Sequence, residues 1–198
     1  MSKTEEDPSE IGQQYFYGKG RRKNYKKAFP YLLTAANMGD PHCQNLVGYC
    51  FDIGLGVEKD KSLAFYWYKY AAENDDIEGI YNLALFYSKD KADKLNNKKA
   101  FSLYKKAAER GDAPSQCNLA IAYLDGEGTK RNEEEGLKWM KKAAKHGDSK
   151  AQFNLGEMYL IGVDLTRNVK NAKSWLLKAA SQGHRKAEKL LKTINTNS

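Results

Sequence analysis

Proline is scarce, with four residues in a chain of 198. Long helical runs are therefore permitted, because proline inside a helix removes a hydrogen bond and clashes with the preceding turn. Cysteine is scarcer: Cys43, Cys50 and Cys117 make an odd number with no Cys-x-x-Cys pair. Such a set fits neither a disulfide framework nor a zinc site, and reduced thiols are expected in a cytoplasmic setting. No run of about 18 apolar residues occurs, so no membrane-spanning helix is expected. The start, Met1-Ser2-Lys3-Thr4-Glu5-Glu6-Asp7, is polar and acidic. It lacks the apolar stretch after a basic start that marks a secretory leader.

What is present is an ordinary globular balance, 41% hydrophobic and 29% charged, with a high count of 13 tyrosines. Tyrosine suits half-buried packing positions with a wet end. The net charge of +8 could draw nucleic acid, anionic lipid or an acidic protein. Lysine outnumbers arginine and like charges form no dense run, so solvated helix surfaces account for the excess.

Internal repetition is the main signal. Ala-Ala occurs at Ala35-Ala36, Ala71-Ala72, Ala107-Ala108, Ala143-Ala144 and Ala179-Ala180, in steps of 36 residues. The same step connects Gly12, Gly48, Ala84, Ala120 and Gly156, then Tyr15, Phe51, Tyr87, Tyr123 and Tyr159. It also connects Ala28, Ala64, Ala100, Gly136 and Ala172. These columns divide the chain into repeats 5–40, 41–76, 77–112, 113–148 and 149–184, with no insertion or deletion.

Each unit reads as helix, turn, helix. In the fifth, Asp148 or Ser149 caps the first helix, and Ala151, Leu155, Met158 and Tyr159 share one face. Gly162 breaks that helix, Asn168 or a neighbour starts the second, and Gly183 ends it. Gly39, Gly111 and Gly147 hold the same terminal place, where a left-handed residue is favoured. Asp75 holds it in the second repeat. The Gly/Ala columns mark close helix contacts. One hairpin cannot bury its apolar face, so the copies must stack. Residues 185–194, with Ala187, Leu190, Leu191 and Ile194 in a stripe, are expected to cap the open end. Residues 1–7, with 1–4 disordered, and the tail Asn195 to Ser198 are expected to be mobile or frayed.

By these residues the chain resembles a known family. Ala151-Gln152-Phe153-Asn154-Leu155-Gly156-Glu157-Met158-Tyr159, the turn Gly54-Leu55-Gly56-Val57, and Trp139-Met140-Lys141-Lys142-Ala143-Ala144 are similar to the Sel1-like repeat (SLR), a relative of the tetratricopeptide repeat. The resemblance implies an all-α, right-handed α/α superhelical solenoid of five helix-turn-helix repeats plus the capping helix. It also implies a concave face lined by first helices, and adaptor or scaffold work, including neutralisation of secreted toxins in some bacterial members. Ser88 to Asp93 departs from the Gly-x-Gly turn, so that loop is expected to be remodelled. The first turn, Gly18 to Lys23, is strongly basic, and the fifth reads Gly162-Val163-Asp164.

Catalytic patterns are few and weak. His42, His146 and His184 fall near helix ends in three repeats, with no metal-ligand or triad spacing. Ser102-Leu103-Tyr104-Lys105 matches the Ser-x-x-Lys pattern of penicillin-recognising enzymes, but its companion segments are absent. Gly126-Glu127-Gly128 joins two helices, so it is no dinucleotide motif. Glu133 to Glu135 and the Lys106, Lys142 and Lys178 column suit the two ends of helix dipoles.

The expected function is therefore non-catalytic binding of a protein partner, with no cofactor or metal, by a chain that is monomeric alone. On the implied concave face, the columns not used by the core supply the candidate contacts: Asn45, Tyr49, Asp52, Tyr81, Leu85, Cys117, Ile121, Phe153 and Glu157. RNA binding by the basic surface is the alternative. It would call for exposed aromatics interleaved with cations along a groove, whereas the aromatics here mostly fill core columns. A penicillin-recognising hydrolase is the remote third reading.

Overall fold

The computed structural model describes residues 7–89, 93–162 and 165–196. Among them are eleven helices and no strand. They are α1 (Pro8–Tyr17), α2 (Tyr25–Asn37), α3 (Pro41–Ile53), α4 (Lys61–Glu73), α5 (Ile77–Tyr87), α6 (Lys94–Glu109), α7 (Ala113–Asp125), α8 (Glu133–Lys145), α9 (Ser149–Ile161), α10 (Val169–Ser181) and α11 (Arg185–Thr196). None of the described helices is long and apolar enough to cross a membrane. The chain forms two compact units, Met1–Lys89 and Asp90–Ser198. In the first, the hairpins α1–α2 and α3–α4 stack and α5 packs on α4. In the second, α6 packs on α7, the hairpins α7–α8 and α9–α10 stack, and α11 packs on α10.

Short acidic and amide side chains start the helices. Asp40, Asp76, Asp112 and Asp148 cap α3, α5, α7 and α9, each accepting a backbone N–H three residues on. Such a cap is worth about 1 kcal/mol. Asp148, not Ser149, is the cap in the fifth repeat, and Asn168 caps α10. Asp7 caps α1 through the N–H of Ser9, so residue 7, expected to be mobile, is held in place. Residues 1–6 lie outside the described residues.

The turns of four repeats close the same way. The N–H of the second-helix cap donates to the carbonyl of the aromatic column: Asn24 to Tyr15, Asp60 to Phe51, Asn132 to Tyr123 and Asn168 to Tyr159, at 2.8–3.0 Å. The third turn differs at its exit. Asp93 caps α6 three residues ahead of Asn96, the column equivalent of Asn24 and Asn132, and α6 runs to 16 residues where its counterparts have 13. Residues 90–92, where the remodelled loop is expected, lie outside the described residues, as do Val163 and Asp164.

Helix ends follow the sequence closely. Gly39, Gly111, Gly147 and Gly183 have positive φ, and Asp75 adopts the same conformation at φ 62°. Aspartate tolerates this region better than most residues, because its short polar side chain can bond locally. Within hairpins the small residues permit close approach. A Cβ on Gly12, Gly48 or Gly156 would lie 2.8 Å from Leu32, Tyr68 or Leu176 respectively. Between repeats, Gln44, Gln116 and Gln152 are buried and donate to the carbonyls of Ala36, Ala108 and Ala144 at 3.0–3.2 Å. Each bond reaches the C-terminal turn of the preceding helix, whose carbonyls lack intrahelical donors.

At the C-terminal end, Ala187 and Leu191 of α11 are buried against Leu176 and Ala179, with Leu190 and Ile194 beside them. The helix continues to Thr196, through Asn195 where fraying was expected, and 197–198 lie outside the described residues.

Candidate partner-binding groove

The first helices carry the candidate contacts, and the structure sorts them by depth. Asn45 is 2% exposed. Its amide donates to Glu78 at 3.1 Å and accepts from Asn82 at 2.8 Å, which ties α3 to α5. Cys117 is 1% exposed and sits in the core with Met140, Ala143 and Ala151. Phe153 is 8% exposed and stacks on His184 with ring centroids 4.6 Å apart. These three are corrections. At these three places the side chain faces neighbouring helices of the stack, and burial withdraws it from a partner. Tyr81, of the same column, is half-buried.

The next column lies nearer the surface. Tyr49 is 39% exposed, while Leu85, Ile121 and Glu157 are half-buried. Asp52 forms a salt bridge with Lys61 and is committed within its own hairpin. Tyr49 meets Phe16 edge-on at 6.3 Å, and Phe16 packs edge-on against Tyr17 and Tyr25. Beside them the Tyr17 hydroxyl lies 3.1 Å from His42 Nε2. His42 Nδ1 lies 3.9 Å from the carboxylate of Asp76. That carboxylate raises the His42 pKa, against a smaller opposing effect of burial.

In the second unit, α7 and α9 flank a groove of about 400 Å³. Ile121, Leu124, Met140, Met158 and Ile161 supply its apolar wall, and Asp125 and Glu157 supply carboxylates. Two of the predicted contacts, Ile121 and Glu157, are thus brought together. Leu124, two repeats on from Asp52 in the same column, joins them. Asp125 and Ile161 were not anticipated. Both occupy the last position of a first helix, where the same column holds Tyr17 and Ile53, so a large or charged residue beside the terminal glycine was the available signal. Burial pushes the Glu157 carboxyl above its ordinary value, and Lys186 and His184 pull it down only in part.

Other chemistry is dispersed. Ser102 and Lys105 are both exposed, and Lys105 pairs with Glu109 on its own helix. Cys43, Cys50 and Cys117 are free and buried, and burial pushes each thiol up to about 12. Among the described residues, no three His, Cys, Asp or Glu side chains gather to hold a metal ion. The basic first turn makes contacts with Gln14 and Tyr15. Arg21 donates to Gln14 at 2.7 Å and lies over the Tyr15 ring, which Lys27 also faces.

Comparison with known proteins agrees with this arrangement. A Sel1 repeat protein from Oxalobacter formigenes shares the fold with a TM-score of 0.85, at 29% identity over 94% of this chain and 76% of that one. A protective antigen of uropathogenic Escherichia coli, described as displaying an SLR fold, gives a TM-score of 0.74 at 28% identity, over 91% of this chain and 38% of that one. Chitin synthase regulatory factor 3 of Schizosaccharomyces pombe is 38% identical over 78 residues, which is 39% of this chain and 8% of that protein. The chain spans no more than 10% of the length of the curated relatives it matches. The Sel1 repeat itself matches residues 10–40, 41–76, 77–112, 113–148 and 149–184. With tandem matches over most of its length, and hairpins whose caps and small-residue contacts recur at the same step, the chain belongs to the Sel1 repeat family.

Proposed function

We propose that this chain is a non-catalytic protein-interaction module, an adaptor or scaffold that holds a partner on the surface of its first helices. The observation that carries the reading is the contrast between columns. Positions that pack the hairpins are held to glycine, alanine or aromatics, whereas Tyr49, Leu85, Ile121 and Glu157 differ at one equivalent, partly exposed place. Variable apolar residues beside a groove suit a partner segment laid into it, and an exposed tyrosine such as Tyr49 is a common anchor. The regulatory role in the name of the chitin synthase factor belongs to that protein. It supports an adaptor reading here through the shared repeat.

Affinity purification of the tagged chain from its own cells, with and without nuclease treatment, tests the proposal. A single protein should copurify at fixed stoichiometry and survive about 0.5 M salt. An RNA-binding repeat protein, the reading that the +8 charge and the basic first turn would favour, would instead release its ligand steeply with salt. Recovery of nucleic acid alone would refute the protein-interaction reading. If the recovered protein is a secreted toxin inhibited by the chain, the scaffold is a neutraliser rather than an adaptor.

A further inference from the structure

The groove between α7 and α9 opposes the charge of the chain that carries it. The chain is +8 overall, yet Asp125 and Glu157 are the carboxylates beside the apolar wall. The neighbouring cation, Arg131, is already engaged, donating to Glu133 at 2.7 Å. Glu157 has no hydrogen bond or ion pair among the described residues, although it is half-buried. Ile161, one turn further along α9, is 67% exposed at the rim. Neither feature is required by the repeat: the Glu157 column elsewhere holds Gln13, Tyr49, Leu85 and Ile121, and the Ile161 column holds Tyr17, Ile53, Lys89 and Asp125. A half-desolvated carboxylate with no cation at ion-pair distance is unfavourable, and an exposed isoleucine leaves apolar surface in water. One occupant would satisfy both.

We propose that this groove docks a linear segment of a partner protein in which an apolar side chain is followed closely by Lys or Arg. This rests on the protein-interaction reading above. The apolar group would cover Ile161 and Met158, and the cation would meet Glu157 with Asp125 nearby. Glu157 and Ile161 stand four residues apart on one helix, about 5–6 Å between Cβ atoms. The occupant's two groups should therefore be two residues apart in an extended segment, or three to four apart in a helical one.

The probe is a phage-displayed library of random peptides panned on the full chain at neutral pH. Enriched peptides should pair Leu, Ile, Met or Phe with Lys or Arg at that spacing. A synthetic copy should bind Ile161→Ser and Glu157→Gln each about tenfold or more weakly, the scale of one well-placed contact. Leu177→Ser, a control on α10 where the side chain is 59% exposed, should bind like the parent. Affinity of the parent should rise as pH climbs from about 4.3 through the raised Glu157 value, and Glu157→Gln should lose this dependence. Lys186, His184, Asp125 and Arg131 are unchanged in that variant, so a profile carried by them would persist. Thermal melts of all variants establish that the fold is kept. Enrichment of acidic peptides, or binding indifferent to both groove variants, overturns the proposal while leaving a partner on another face possible. A library without binders also overturns it, and the purified native complex then decides the broader reading separately.

Discussion

Replacing Gly136 by alanine is expected to destabilise the second unit, and adding Ala120→Gly is expected to restore it. In the first, second and fifth hairpins the first helix supplies glycine and the second alanine: Gly12 with Ala28, Gly48 with Ala64, Gly156 with Ala172. The fourth reverses the pair, with Ala120 on α7 and Gly136 on α8. A Cβ added to Gly136 would lie 2.6 Å from Cγ of Leu124 and 3.1 Å from the carbonyl oxygen of Ala120. Overpacking of this kind costs about 1–3 kcal/mol, and alanine in place of helical glycine returns about 1 kcal/mol. The single change should therefore cost about 0–2 kcal/mol. Ala120→Gly alone loses about 1 kcal/mol of helix propensity and about 0.8 kcal/mol for a buried methyl. Independent sites would give a double variant that loses about 2–4 kcal/mol, whereas a restored hairpin would lie near the parent. Urea unfolding of the four proteins, followed by tryptophan fluorescence from Trp139 on α8 and Trp175 on α10, measures the coupling. Additivity within about 0.5 kcal/mol would refute the idea that one close contact needs only one glycine, on either helix.

Three further outcomes follow from single sites. Cys43, Cys50 and Cys117 should resist a thiol reagent at neutral pH until denaturant is added, because burial holds each at about 12; rapid native labelling would contradict the packing. Ser115 Oγ is buried with no hydrogen-bond partner among the described residues, in a column that holds Ala151 and Ala187. Ser115→Ala should leave stability unchanged or raise it by about 1 kcal/mol, and a clear loss in urea unfolding would show that the hydroxyl is satisfied. The pKa of His42 is raised, chiefly by Asp76, with Glu78 and Asp40 adding to it. Its stabilising contribution is thus fully present below the unfolded value of about 6.5 and fades as pH rises through the folded one. Melting temperature across that window should fall in the parent and fall less in His42→Gln.

The fold was legible because its determinants repeat at a fixed step. The Ala-Ala pairs set the register, and Asp75 could be placed in the left-handed region because four glycines mark the same position. The Gln44, Gln116 and Gln152 column falls at multiples of the same step, with Ile80 in the place between Gln44 and Gln116. Glutamine near a helix start looks solvated until stacking brings an alanine carbonyl over it. The α6 start was hidden by competition between two capping residues, where Asp93 prevails over Asn96. The candidate contacts were less legible. Asn45, Cys117 and Phe153 sit on the face that one helix alone would leave free, and only the packing of neighbouring helices shows that they are interior.

A tandem array separates folding from recognition by column rather than by region. Ala28, Ala64 and Ala172 answer to hairpin packing, a problem that recurs at each copy and is met by a small residue each time, Gly136 in the fourth. The place held by Tyr49, Leu85, Ile121 and Glu157 meets no such common demand, because the hairpins stack with any of the four. Those positions are therefore free to carry chemistry that costs the isolated chain stability, such as an exposed Ile161 beside a half-buried, unpaired Glu157. Stacked repeats absorb the cost, since helix caps, the small-residue contacts and the buried glutamine bonds recur along the chain. The groove residues can then change with the partner while the scaffold beneath them stays the same.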